Sequence, residues 1–381
     1  HEVVCLARRP GKLADRPWRN LVEVRQADVN DGPSVERALD GCDVAYYLVH
    51  SMGSAAQFED ADRRAAASFA AAAQSAGIDR IVYLGGLGGE EDDLSAHLSS
   101  RHEVGHVLRQ GTTPVSELRA AVVIGSGSVS FEMLRYLTEV LPVMTTPRWV
   151  NTRCQPIAIR DVLAYLVAAL DDDAGAHHIV EIGGPDVLSY RQMMQVYAEE
   201  AGLPRRLIIP VPVLSPGLSS RWIGLVTPLP TGVARPLVDS LRNEVVVRTD
   251  EAGRYPIEPI PFREAVRLAL ARSDELDVET RWSDASTSPA QPFDWDPSWA
   301  GGTLFVDRQQ IIAKAPAEDL YWAFARIGGD AGYYVHNWAW RLRGLLDTLV
   351  GGVGLRRGRR HPETVRLHDT IDFWRVAALE P

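Results

Sequence analysis

The segment "LSAHLSSRHEVGHVL" sets an imidazole and a guanidinium four residues apart, at His97 and Arg101. On a helix this spacing brings both onto one face. An imidazole exchanges a proton near neutral pH, and a guanidinium stays charged throughout the physiological range. Near the start of the chain, "CLARRP" places Arg8 and Arg9 directly after an apolar strand. Two guanidiniums at a strand end suit a phosphate, which they can bind in bidentate fashion. Cysteine chemistry has little support. Cys5, Cys42 and Cys154 are scattered without metal-ligand or disulfide spacing. Cys154 has no paired base in view to make it a nucleophile. No metal site is expected.

These groups need a scaffold, and the 381 residues, 46% of them hydrophobic, suffice for two or three domains with cores. The net charge of −10 argues against nucleic acid as a partner. The run "RLIIPVPVLSPGLSSRWIGLVTPLP" is apolar, but its prolines and Arg221 make it a poor membrane span. No signal peptide is visible, so a cytoplasmic location is expected. The chain lacks an initiator methionine, and the expectation is a fragment that begins mid-fold.

Strands and helices alternate. "HEVVCLA" and "LVEVRQADVND" read as strands, and "GPSVERALDG" as a short helix with proline in its first turn. "CDVAYYLVHSMG" reads as a strand buried on both faces. The segment 54–77 is helical, with Phe58, Ala61, Ala65, Phe69 and Ala73 on one stripe. "IDRIVYLGGLGG" is a strand, 94–110 a helix, and "VSELRAAVVIGSG" another strand. This rhythm predicts an α/β, Rossmann-type, doubly wound parallel sheet. Beyond Gly127 it loosens into a smaller lobe. Residues 273–300 read as a Ser-, Pro- and Trp-rich linker, and 301–381 as a partial α+β domain ending in the strand "IDFWRVAALEP".

Six stretches, "CLARRP", "ADVND", "DVAYYLVHSM", "IVYLGGLG", "ELRAAVVIGSGSVSFEMLRYL" and "QPIAIRDVLAYLVAAL", follow one another in an order that resembles the atypical and extended short-chain dehydrogenase/reductase families. The resemblance is strongest to the NmrA-like and NAD-dependent epimerase/dehydratase-like group, which includes the nucleotide-binding accessory subunit of respiratory complex I. It covers residues 1–272, assigned as the NAD(P)-binding domain with its substrate lobe. The tail from about Phe293 is similar to a bacterial domain of unknown function with a helix-grip, START-like fold, cut off at Pro381.

The resemblance implies a first strand and a GxxGxxG turn ahead of His1; neither is in the sequence, so the pyrophosphate cradle has no residues here. It assigns Arg8 and Arg9 to the 2′-phosphate of NADP(H), in preference to NAD(H). It brackets the adenine with Asp28 and Val29, and runs the cofactor ribose past Leu48, Val49 and His50. The Tyr-x-x-x-Lys pair of the standard mechanism is missing, because Lys12 and Lys314 are the only lysines. His97 and Arg101 occupy that spacing instead, as proton carrier and ribose-side cation. Gly85 and Gly86 stand where a serine is expected and leave room for close approach of a ligand. Arg148, Trp149 and Asn151 fall where such families line the substrate pocket. The functions implied are an NADP(H)-binding oxidoreductase of a small organic molecule, a non-catalytic NADP(H) sensor or assembly factor, or a lipophilic-ligand carrier acting through the tail. The tail aromatics Trp322, Phe324, Tyr333, Tyr334, Trp338 and Trp340 are expected mainly in core packing. "GLRRGRRH" reads as a solvated basic turn.

Overall fold

A computed structural model describes residues 1–13, 16, 18–49, 55–89, 93–172, 175–210, 238–249, 251–274, 312–349, 355, 361, 363–365, 369–372 and 374–376. The chain divides into two compact units, 1–277 and 278–381.

In the first unit, β1 (Val4–Ala7) and β2 (Glu23–Gln26) pair in parallel. Helix α1 (Gly32–Leu39) follows and buries Val35, Ala38 and Leu39. Then come β3 (Val44–Tyr47), α2 (Ala55–Ser75), β4 (Arg80–Gly86), α3 (Ala96–Arg109) and β5 (Val115–Ala120). With β10 (His178–Ile182) these strands form a parallel sheet in the order β10-β5-β4-β3. The sheet is buried on both faces. Ala45, Tyr47, Ile81, Tyr83 and Val115 pack against α1, α2 and α3, and Val82, Leu118, Val180 and Ile182 pack against α5 (Ile159–Ala168). Successive strand residues alternate between the two cores, as the pleat requires. Burying each of the larger side chains contributes about 1.5–3 kcal/mol, so this alternation fixes the register. Of the expected helical stripe of α2, Ala65, Phe69 and Ala73 are buried, with Phe69 4.9 Å from the Tyr47 ring; Ala61 is half-buried, and the side chain of Phe58 lies outside what is described.

One strand departs from expectation. β3 is short, and its burial alternates instead of being complete. Tyr46 and Leu48 stay exposed at 37% and 56%. Among the described strands β3 pairs with β4 alone, so it lies at an edge of its sheet.

The smaller lobe interleaves with the later sheet strands. It comprises β6 (Val123–Ile124), α4 (Val129–Val140), β7 (Val143–Thr146), β8 (Arg153–Cys154), β9 (Ile157–Ala158), β11 (Leu188–Ser189), α6 (Tyr190–Glu200) and β12 (Leu207–Pro210). Three two-stranded pairings, β6–β9, β8–β11 and β7–β12, hold it. A Ser189–Gln192 capping box starts α6. Tyr197 on α6 donates to Glu139 Oε1 on α4 at 2.6 Å.

In the second unit, helices Ala317–Ala325 and Asn337–Leu349 are followed by a hairpin of Thr370–Ile371 with Trp374–Arg375. The expected single terminal strand is therefore two short strands about a turn at Asp372, whose φ is 53°. Asp372 Oδ2 accepts from Gly329 N and from the Tyr333 hydroxyl. The expectation of aromatic packing holds for Tyr333 and Trp340, stacked at 4.5 Å, but not for Trp322, Phe324, Tyr334 and Trp338, which are exposed. Most of the expected linker 273–300, residues 301–311 of the partial domain and nearly all of "GLRRGRRH" lie outside the described residues. Among those described, no helix is long and apolar enough to cross a membrane.

Candidate functional site

A cavity of about 270 Å³ opens at the carboxyl ends of β4 and β5. In parallel α/β sheets ligands bind at this edge, where the helices that follow the strands leave a crevice. Leu84–Leu87 and Ala120–Val123 form its floor, and α3, α4 and α6 its walls. A strap contributing Ser240, Leu241 and Val245 closes one side. The strap is fastened to the start of α3: Ser95 N donates to Asn243 Oδ1 at 3.0 Å, Asn243 Nδ2 donates to Asp93 O at 2.9 Å, and the Ser95 and Ser240 hydroxyls share a hydrogen bond.

His97 and Arg101 both line the cavity, as do Gly85, Gly86 and Trp149. Arg101 is held rigidly. Its Nη2 donates to Leu84 O, its guanidinium stacks 5.5 Å from the Tyr83 ring centre, and the Tyr83 hydroxyl donates back to Arg101 O at 2.9 Å. His102, which the sequence did not single out, reaches Gly86 O with Nε2 at 3.0 Å. Helix α3 thus clamps two carbonyls at the end of β4. Glycine permits this approach. A Cβ at Gly86 would come within 3.0 Å of Leu98 and 3.5 Å of Arg101, and a Cβ at Gly85 within 3.2 Å of Glu117 and Tyr83.

Beneath the floor lies a buried ion triad. Glu117 on β5 pairs with Arg109 and, at 2.7 Å, with Arg119 Nε. No part of the Glu117 side chain reaches solvent, and Gly105 of α3 supplies the space for its carboxylate.

Two tyrosines border this region, and burial raises both phenols above their usual range. Tyr190 is bonded to the thiol of Cys154, which burial pushes up to about 12. The thiol is therefore neutral and inert near pH 7.

The other residues singled out from sequence, Trp149 apart, are not among the described residues that line the cavity. Arg8 and Arg9 follow β1 and are exposed; Asp28 and Val29 follow β2. Asp28 Oδ1 accepts from Asn30 N and Nδ2, a local turn that holds the loop. Leu48 and Val49 follow β3 and are exposed. His50 lies outside the described residues. Arg148, Trp149 and Asn151 form one short 3-10 helix. Its tight turn sends Trp149 to the cavity and Asn151 to solvent, so Asn151 is not a lining residue; the side chain of Arg148 lies outside what is described. Met133, Tyr190, Met193, Met194, Leu241 and Val245 line the cavity without having been anticipated. Tyr190, Met193 and Met194 lie together in "YRQMMQVY" on α6, and helical spacing there would have shown a shared face.

Residues 1–126 match the family model for NAD(P)H-binding proteins. Residues 299–381 match a family described as a protein of unknown function, DUF2867, which leaves the helix-grip likeness of the tail an expectation. Among characterised relatives, the mitochondrial NADH dehydrogenase [ubiquinone] 1 alpha subcomplex subunit 9 of Arabidopsis thaliana is 24% identical over 51% of this chain and 48% of its own length. The (4-alkanoyl-5-oxo-2,5-dihydrofuran-3-yl)methyl phosphate reductase of Streptomyces griseus is 27% identical over 54% of this chain and 67% of its own. The chain thus spans about half the length of the first of these. Solved structures with the same fold include a Staphylococcus aureus nucleoside-diphosphate-sugar epimerase (TM-score 0.55, 14% identity, 69% of this chain and 90% of that one). Citrobacter triphenylmethane reductase with NADP(H) matches at TM-score 0.55 and 17% identity, over 70% of this chain and 90% of that one. The NADPH-dependent quinone oxidoreductase of Escherichia coli with NADPH gives 0.55 and 18% over the same shares. At such identities the likeness shows the fold: a Rossmann-type α/β unit with a parallel sheet.

Proposed function

We propose that the N-terminal unit is an oxidoreductase that passes a hydride between NADP(H) and a small organic substrate. The observation that carries this reading is the cavity at the carboxyl ends of β4 and β5, with His97 and Arg101 on its wall. The described residues fit a nicotinamide cofactor along that edge. Leu48 and Val49 present apolar surface after β3, and Gly85 and Gly86 let a flat ring approach the backbone. Arg8 and Arg9 are exposed after β1, where a 2′-phosphate would meet them. The bound cofactor supplies the hydride.

The protein's own groups do the rest. His97 gives a proton to the substrate atom that gains charge, as an imidazole can near neutral pH. Arg101, fixed by Leu84 O, holds a positive charge beside that atom without a flexible lysine. Tyr190 does not take the family's tyrosine role, since its hydroxyl is engaged by Cys154 and its phenol is raised by burial.

Titration of NADPH and NADH into the protein by calorimetry tests the cofactor assignment. NADPH is expected to bind more tightly, and Arg8→Ala to remove about tenfold of that preference, one charge-assisted contact. Equal affinities, unchanged in Arg8→Ala, would refute it. NADPH oxidation with a panel of carbonyl and enone compounds tests the chemistry. His97→Gln is expected to lower kcat about a hundredfold, the lower range for a lost general acid. Binding without consumption across the panel would replace an enzyme with a sensor.

A further inference from the structure

The walls of the cavity describe what it can admit. Three of the chain's five methionines, Met133, Met193 and Met194, line it together with Leu137, Leu241 and Trp149. Methionine is polarizable and adapts its shape, which suits flat apolar ligands. Among the described lining residues there is no carboxylate, and the groups that can carry positive charge, His97 and Arg101, stand on one wall. A phosphate or sulfonate reaching beyond that wall would set anionic oxygens against methionine, leucine and tryptophan away from water, which is costly.

Size narrows the class. An apolar cavity of about 150 Å³ accommodates benzene. The 270 Å³ available here is less than twice that, and a sugar nucleotide is far larger than such a space. Among the described lining residues the polar side chains are few: His97 and Arg101 on one wall, and the hydroxyls of Ser130, Tyr190 and Ser240. A single carbonyl-type oxygen can be met by such hydrogen-bonding groups without further charge.

We propose that this cavity takes an uncharged, ring-bearing compound of at most about two fused rings with a carbonyl-type acceptor, and excludes phosphorylated substrates and sugar nucleotides. As a statement about the substrate this rests on the reductase reading; as a statement about binding it is tested separately.

Calorimetry without cofactor provides that test, with 2-methyl-1,4-naphthoquinone, 1,2-naphthoquinone-4-sulfonate and UDP-glucose as probes. The neutral quinone is expected to bind, the sulfonate about tenfold or more weakly, and UDP-glucose to give no heat. Met193→Trp fills the cavity and should weaken quinone binding about tenfold or more. Met194→Trp fills the cavity from the neighbouring position and should weaken the quinone to a similar degree. Circular dichroism checks that both variants fold. Comparable affinity for the sulfonate or UDP-glucose in the unmodified protein overturns the proposal, as does undetectable quinone binding. Folded variants that bind the quinone unchanged also overturn it. If the quinone binds but neither NADPH nor NADH does, the reductase reading falls and the ligand class stands. If the cofactor binds and the quinone does not, the reverse holds.

Discussion

Gly105→Ala places a methyl group on α3 directly against the buried carboxylate of Glu117. The added Cβ would lie 2.6 Å from Glu117 Cδ and 2.7 Å from Oε1, well inside van der Waals contact. In an exposed helix the substitution would stabilise by about 0.5–1 kcal/mol, because alanine loses less backbone entropy than glycine. Here the carboxylate must move away from Arg109 and from Arg119 Nε, its partner at 2.7 Å. Breaking a buried ion pair costs about 3–5 kcal/mol, so the net loss is about 2–4 kcal/mol. With a urea m-value of about 3 kcal/mol/M, the unfolding midpoint falls by about 1 M. Urea titration followed by far-UV circular dichroism measures it. Gly111→Ala is the control. Its Cβ meets nothing nearer than 3.7 Å, and the midpoint should hardly move. In a Glu117→Ala background the clash is absent, and Gly105→Ala should become neutral or stabilising. A stabilised Gly105→Ala single variant, or an equal loss in both backgrounds, would refute the reasoning.

Cys154 should resist thiol reagents at pH 8 until the protein unfolds, which a timed assay with Ellman's reagent reads directly. Because burial raises its pKa from 9.0 to about 12, the fold favours the protonated thiol. Its contribution to stability is complete below about pH 9 and falls as pH rises toward 12, by up to about 1.4 kcal/mol per pH unit. Cys154→Ala should flatten that alkaline decline in the unfolding midpoint; an unchanged decline would count against the assignment. Asn243→Ala removes two hydrogen bonds from the strap and should weaken neutral quinone binding about tenfold, with NADPH affinity unchanged. Unaltered quinone affinity would show that the strap does not shape the cavity.

The alternation of strand and helix was legible because each element carries its own pattern. Phe69 and Ala73 recur at helical spacing, and Ile81, Val82 and Tyr83 form a continuous apolar run that matches a strand with two buried faces. β3 misled for the same reason: "CDVAYYLVH" has the composition of a central strand, but burial depends on which neighbours pair with it. Within the site, the i,i+4 spacing of His97 and Arg101 was enough to bring them to one wall. Asn151 could not be separated from Trp149 in sequence, since a three-residue turn decides which faces inward. The strap was hidden altogether. Asn243 meets Ser95 across 148 residues of sequence, and no local pattern encodes such a meeting.

The cavity draws its walls from lengths of chain under unequal constraint. Leu84–Leu87 and Ala120–Val123 continue strands whose register is locked by ladders on either side, so a change there disturbs the whole sheet. Ser240 and Leu241 sit on a segment tied to α3 by a few hydrogen bonds, while Val245 is bridged to Cys154 of β8, so changes at Ser240 and Leu241 leave the main sheet's ladders intact. On the proposed reading, selectivity can therefore drift, or be engineered, at those two positions without touching the strand ends. The architecture separates a part free to be rewritten from a part that must be kept, and protein engineers can randomise the former as a cassette.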